Sequence, residues 1–567
     1  MKKMFLQVFI APVLGAALLA ACGGGDSASP DAAGPTKVAL SGGDGDRRGN
    51  DDGDDNDDRD GRKTRCRGDN DRPETALQGQ VPIALRLAPG GFKGFSCNLE
   101  LVGLDKRTEG GNWSSATYQD RHGRSCLYHS TATPGAAERF AVASKQPDFK
   151  RLRPGVPVID ISDRSDLKYV RSLTSPAMID NWESLRVHQR RKILIGDNAG
   201  DGGSAGGPEV DIYDLSGDCR EPQLISSTAV GTGTDGGIKP AGGNTGHEGN
   251  ISPDGLTYWI GDIGRGHYNA VDIANPKKPK MIATWSVSDL GLNPGEGSIL
   301  VHGLSMSNDG NRVYATVLGF PTPKDVANPA IKKNGFVVLD TSEVQQRKPN
   351  ATIKPISTAL YKDGSVAQLT IPVKIGGKPY VVMVDEAGAG GLSNTANAQL
   401  ACDLGLLAFP VARLFDIADE TKPKEVAKVT LEMHKTENCA KVIPDIAGLN
   451  IFTYGSHYCS VDNRDNATAL ACGYFNSGIR VFDIRNVNKI REIAYFNPAA
   501  TTAKPGSNHA TFGQWRAGGP DWCASRLDFD FRRKQLITMC QDTGAMVLKF
   551  GRNTWPFDDS TPSTNQN

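Results

Sequence analysis

Six times along this chain an apolar run takes in an aspartate near its end and then breaks into polar residues. The runs are VPVIDIS at Asp160, VDIYDLS at Asp214, NAVDIAN at Asp272, FVVLDTS at Asp340, ARLFDIA at Asp416 and IRVFDIR at Asp483. The polar breaks lead into further β-prone segments, among them LKYVRSL, PQLISST, KMIATWSV, KEVAKVTL and REIAYF. Successive aspartates lie 54, 58, 68, 76 and 67 residues apart, a loose period that absorbs loop insertions. Upstream, ISPDGLTYWIGD and MSNDGNRVYATV set Asp-Gly between two β-rich stretches, a strong hairpin signal. The unit therefore reads strand, tight turn, strand, loop, apolar-Asp-apolar strand, polar turn, strand.

Gly and Pro punctuate nearly every window, which excludes long helices. Repeated units of four antiparallel strands predict an all-β fold, a β-propeller. Seven four-stranded blades are expected, at about 97–174, 182–230, 246–288, 300–358, 363–432, 455–498 and 507–550. The last lacks an outer strand of its own. QVPIALRL, residues 80–87, is expected to supply that N-terminal strand and so close the ring, which removes exposed sheet edges. In this scheme the six aspartates are turn-stabilising groups that accept backbone N–H bonds just past the strand, and are not catalytic acids.

The chain resembles the LVIVD-repeat family of exported bacterial and archaeal β-propellers, named for the same hydrophobic-hydrophobic-Asp strand. The similarity spans roughly residues 95–550 and is densest in HYCSVDNRDNATALACGYFNSGIRVFDIR. Most units depart from the literal LVIVD letters, so pattern and order carry the match. The resemblance implies a propeller and carries no established reaction.

The first 21 residues, with Lys2 and Lys3 ahead of an apolar stretch, have the layout of an export signal. Leu19-Ala20-Ala21-Cys22 matches a lipobox, so Cys22 is the expected site of lipidation and the first mature residue. Gly23 in the next position points to the outer membrane, and lipid anchoring makes the membrane a partner. Residues 22–72 are rich in Gly, Asp and Arg and almost devoid of apolar residues, so they read as a disordered tether with a reach of about 40 Å. The propeller domain is expected over 73–552 and a disordered tail over 553–567.

Cysteine usage fits an exported protein. Ten of the 11 cysteines remain once Cys22 is set aside, an even number. Cys459 and Cys472 flank one polar turn and Cys523 and Cys540 another, so each pair is a disulfide candidate. Cys97 with Cys126 and Cys402 with Cys439 are the remaining candidates. Lys+Arg and Asp+Glu both number 64, giving no net charge and no basic stripe, which excludes nucleic acid as a partner. No GxSxG marks a hydrolase nucleophile: the literal match at 202–206 lies in the Gly-rich GDNAGDGGSAGG, which lacks the strand-to-helix setting of an elbow or of a phosphate loop.

The innermost strand of a blade lines the central channel, and several polar residues fall where such strands begin. They are Glu183, His247, Glu248, His302 and His457, with His509 as a weaker member. The plainer role of these histidines is to hydrogen-bond neighbouring blades. Their recurrence at one strand position in different blades also suits a transition-metal site, with His247, His302 and His457 as ligands. Glu183 and Glu248 would then stand outside the ligands as supporting groups or bases. Trp515 and Trp522 are candidate aromatic contacts on a propeller face. The function expected first is a lipid-anchored envelope propeller that binds a protein or small ligand. The alternative is a periplasmic or surface metal-dependent enzyme, an oxidoreductase being one form, with a His-lined channel site.

Overall fold

The computed structural model describes residues 64–105, 113–130, 155–199, 206–292, 295–392, 395–447, 452–500, 520–541, 543–551 and 554. Seven antiparallel sheets follow one another as the blades of a propeller. Blade 1 is made of Ser115–Gln119, Ser125–His129, Val156–Asp160 and Lys168–Leu173. Its second strand is wholly buried and its fourth mostly exposed, the gradient expected from hub to rim. The first strands of all seven blades meet around a central cavity of about 130 Å³, to which they contribute Ser115, Arg186, Asn250, Ser305, Leu369, Ser460 and Asp528. Among the described residues, no helix is long and apolar enough to cross a membrane.

Alternating apolar positions let each sheet bury side chains on both faces, and every neighbouring pair of blades shares a hydrophobic cluster. Tyr128 and Val158 of blade 1 meet Leu194 and Tyr213 of blade 2. At the other end of the sequence, Ile537 and Val547 of blade 7 meet Leu127 and Ile159 of blade 1, so the ring is continuous. Burial of this kind, at about 25 cal/mol per Å² of apolar surface, drives the assembly.

All six repeat aspartates end the third strands of blades 1 to 6. In each, Oδ1 accepts the backbone N–H two residues on, from Ser162, Ser216, Ala274, Ser342, Ala418 and Arg485 at 2.8–3.1 Å. A register shift between third and outer strands recurs in all seven blades. Such bulges increase strand twist, which each blade of the ring needs.

The ring is closed by an N-terminal strand, but not by residues 80–87. Leu99–Asp105 pairs with Gly544–Phe550 of blade 7, with Leu99 opposite Phe550 and Asp105 opposite Ala545. Residues Ile83–Leu87 form a short helix behind Pro82 (φ −54°). Proline donates no ladder hydrogen bond, and its fixed φ suits a helix start. NLELVG is thus the rim of blade 7 and not a strand of blade 1, and Phe95–Cys97 lies as a fifth strand on the outer edge of blade 6.

Five disulfides use ten cysteines. Cys459–Cys472, Cys523–Cys540 and Cys402–Cys439 form as expected. The Cys97–Cys126 pairing does not, because the two belong to different blades. Cys97, on the edge of blade 6, bonds Cys66, and Cys126 of blade 1 bonds Cys219 beside blade 2. The Cys66 link and a Thr64 hydrogen bond to Glu492 (2.5 Å) attach residues 64–72 to the ring, so any tether ends before Thr64. Cys22 and the 553–567 tail, apart from Thr554, lie outside the described residues.

Candidate metal centre at the hub

Glu183 is carried on the turn before the first strand of blade 2, where Trp182 adopts φ 45° and Ser184 Oγ donates to Asn181 O. His247 precedes Glu248–Ile251 of blade 3. Gly246 before it has φ 66°, and a Cβ there would lie 1.9 Å from Asp197 Oδ2. His302 precedes Leu304–Met306 of blade 4, and its backbone N–H is shared by Tyr268 Oη and Thr316 Oγ1 at 3.1 Å each. Gly303 beside it leaves room for Glu248, whose Oε2 would sit 2.2 Å from an added Cβ. His457 lies in the first strand of blade 6, Ser456–Val461. The blade grammar therefore delivers four side chains to the axis from four blades.

They converge. Glu183 Oε2 is 3.0 Å from both His247 Nε2 and His302 Nε2, which are 2.7 Å from each other. Glu183 Oε1 is 3.1 Å from His457 Nε2. A fifth group was not foreseen: Glu386, from the end of the second strand of blade 5, places Oε1 2.6 Å from His457 Nε2 and Oε2 3.9 Å from His302 Nδ1. All five are at most 5% exposed. Glu183, expected outside the ligand set, stands between the histidines. Glu248 does not reach them; it accepts from Arg186 (3.0 Å), Arg526 (2.9 Å) and Gln368 (3.5 Å) in an adjoining layer of the channel. His509 and Trp515 lie outside the described residues. Trp522 is buried against Trp113 and Phe475, so it packs the structure instead of offering a contact face.

The electrostatics are those of a tightly packed charge cluster. Burial opposes ionisation of Glu183, yet His302, with His247 and His457, holds its carboxyl well below the usual range. Burial also opposes charge on His302 and His457, but the facing carboxylates prevail. Glu183 and Glu386 raise His302 to about 9, and Glu386 and Glu183 raise His457 to about 10. His247 goes the other way, lowered by burial despite Glu183. Burial raises Glu248 against the pull of Arg526 and Arg186.

The backbone orients two rings for ligation. His302 Nδ1 lies 3.1 Å from Ala367 O and His457 Nδ1 2.7 Å from Ala524 O. A carbonyl only accepts, so each Nδ1 carries a proton and each Nε2 is the ring atom turned to the hub, where it would bind a metal on giving up its own proton. A triangle of 2.7, 3.0 and 3.0 Å has its corners about 1.7 Å from their common centre, within the about 2.0–2.1 Å of zinc–nitrogen bonds, so these three atoms could hold one ion. Nitrogen and oxygen donors without sulfur suit zinc, iron or manganese. Four clusters of three ligand-type atoms occur among the described residues. The two outside the hub each contain disulfide sulfur, which offers no thiolate.

No protein-family model matches the sequence, and no curated protein matches it. Among solved structures, a candidate 6-phosphogluconolactonase of Bacteroides uniformis is 11% identical, covers 76% of this chain and 93% of its own, and superposes with a TM-score of 0.43. Hydrazine synthase of Kuenenia stuttgartiensis is 11% identical over 78% of this chain and 97% of its own, with a TM-score of 0.42. The periplasmic gluconolactonase of Pseudomonas aeruginosa is 12% identical over 55% and 69%, with a TM-score of 0.34. Likenesses at this level do not bear on the hub.

Proposed function

We propose that this protein is a metal-dependent enzyme of the cell envelope, anchored by lipid on Cys22, with its catalytic ion held at the hub by His247, His302 and Glu183. One observation carries the proposal: two buried imidazole nitrogens and a carboxylate oxygen, drawn from three blades, lie 2.7–3.0 Å apart. Two histidines and one carboxylate are the donor set both of catalytic zinc and of non-haem iron. An ion so held supplies Lewis acidity and lowers the pKa of its water to about 7.

The protein's own part is to fix the ligands and dry the site. Ala367 O holds the His302 ring in one tautomer. Trp113 and Phe475 pack on His457 at ring-centre distances of 5.0 and 5.2 Å, and Trp182 lies 6.4 Å from His247. An apolar wall of this kind strengthens every charge interaction inside it. The envelope address rests on the lipobox, and kinship with the LVIVD-repeat propellers rests on the third-strand motif.

Elemental analysis of protein purified from membranes without a histidine tag is the test. At least one transition ion per chain is expected, and its identity distinguishes zinc from iron. His302→Ala should lose that ion, and a metal-free wild type overturns the proposal. Cys22→Ala should release the protein from the membrane fraction; retention there overturns the lipid anchor.

A further inference from the structure

Resting on that metal centre, we propose that the hub holds a second divalent ion, bound by His457 and Glu386 and joined to the first through Glu183 as a bridging carboxylate. The five ligand residues do not fall into one group. Glu183, His247 and His302 have ligand atoms within 4.8 Å of one another, and so have Glu183, Glu386 and His457; Glu183 alone belongs to both sets. Its two oxygens are divided between them. Oε2 faces His247 and His302, and Oε1 faces His457. A carboxylate with each oxygen committed to a different set is placed to bridge ions about 3.5–4 Å apart, the spacing of two-metal sites.

His457 makes the case for a cation at the second position. Its Nδ1–H donates to Ala524 O, 2.7 Å away, which directs Nε2 inward. There Nε2 faces Glu386 Oε1 at 2.6 Å and Glu183 Oε1 at 3.1 Å. Without a metal, a single proton on Nε2 is all that offsets the charge of the two carboxylates there. A divalent cation in that proton's place would be held by all three atoms. The second position has two oxygens and one nitrogen where the first has two nitrogens and one oxygen. It should therefore favour the harder manganese or ferrous ion over zinc.

Metal-stripped full-length protein, titrated with Mn²⁺ and followed by electron paramagnetic resonance, tests the pair. Wild type should take up two ions per chain and show a spin-coupled signal. Glu386→Gln, nearly isosteric, should take up one and lose the coupling. Uptake of a single ion by wild type overturns the second site and leaves the first standing. Two ions in both proteins overturn the assignment to Glu386, and no uptake at all overturns the metal centre itself. Wild-type stoichiometry and coupling decide the matter even if Glu386→Gln fails to fold; circular dichroism melting establishes whether it does.

Discussion

Carboxylates at the rim and at the hub do opposite work. At the rim, Asp160, Asp214, Asp272, Asp340, Asp416 and Asp483 each bond a backbone N–H two residues away, so the partner is fixed by the local chain. At the hub, Glu183 faces His302 across 119 positions, and Glu248 faces Arg526 across 278. The rim groups repeat because every blade needs the same turn. The hub groups differ because each blade supplies one piece of a single cluster.

That contrast can be broken or sharpened by measurement. The largest effect on stability is expected from Glu248→Gln, which leaves Arg186 and Arg526 without their shared buried anion. Removing one partner of a buried ion pair costs about 3–5 kcal/mol, read as a fall in the denaturant midpoint. A loss under 1 kcal/mol would place Glu248 with the rim aspartates.

His434 is the counterpart of the hub histidines: buried like them, but satisfied by backbone alone. Its Nδ1 accepts from Leu431 N–H at 2.9 Å, and its Nε2 lies 3.3 Å from Tyr454 O. Burial, aided by the charge of Arg480, lowers it to about 3. The unfolded chain, with an ordinary histidine near 6.5, takes the proton first. The stabilisation is therefore complete above pH 6.5 and is lost as the pH falls toward 3. From pH 7 to pH 5 the loss is about 2 kcal/mol. His434→Gln should remove that part of the pH slope in urea melts, and an unchanged slope would show that His434 is not buried neutral.

The smallest effect belongs to the rim. Asp416→Ala should cost about 1 kcal/mol, the worth of one hydrogen bond, whereas Asp416→Asn, which keeps the acceptor oxygen, should stay within about 0.5 kcal/mol of wild type. If Asn proved as costly as Ala, charge and not the turn bond would be the role of these residues.

Six of the seven blades owed their legibility to turn chemistry that repeats locally: an aspartate closing a strand is written into a few adjacent residues. His247, His302 and His457 were legible for a related reason, since each stands at the start of a first strand. Glu386 was not. It ends a second strand within YVVMVDEAG, where an apolar run merges into a Gly-rich loop, and the first strand of blade 5 brings Gln368 to the hub instead. That a loop-edge glutamate turns inward depends on packing between blades 5 and 6. The closing strand was misassigned for the same physical reason. QVPIALRL and NLELVGLD both alternate, and only the pairing of Leu99 with Phe550 chooses between them. Cys66 and Cys219, likewise, find their partners through the ring and not along the chain.

The clasp between Leu99–Asp105 and Gly544–Phe550 also sets an order of events. Its two halves come from opposite ends of the ring's own sequence, so blade 7 stays unfinished until Gly544–Phe550 has been made. Until then the circle has a gap, and the walls around Glu183 lack their final support. A chain cut before Gly544 would lose far more than one blade: it would never complete the enclosure that gathers its histidines.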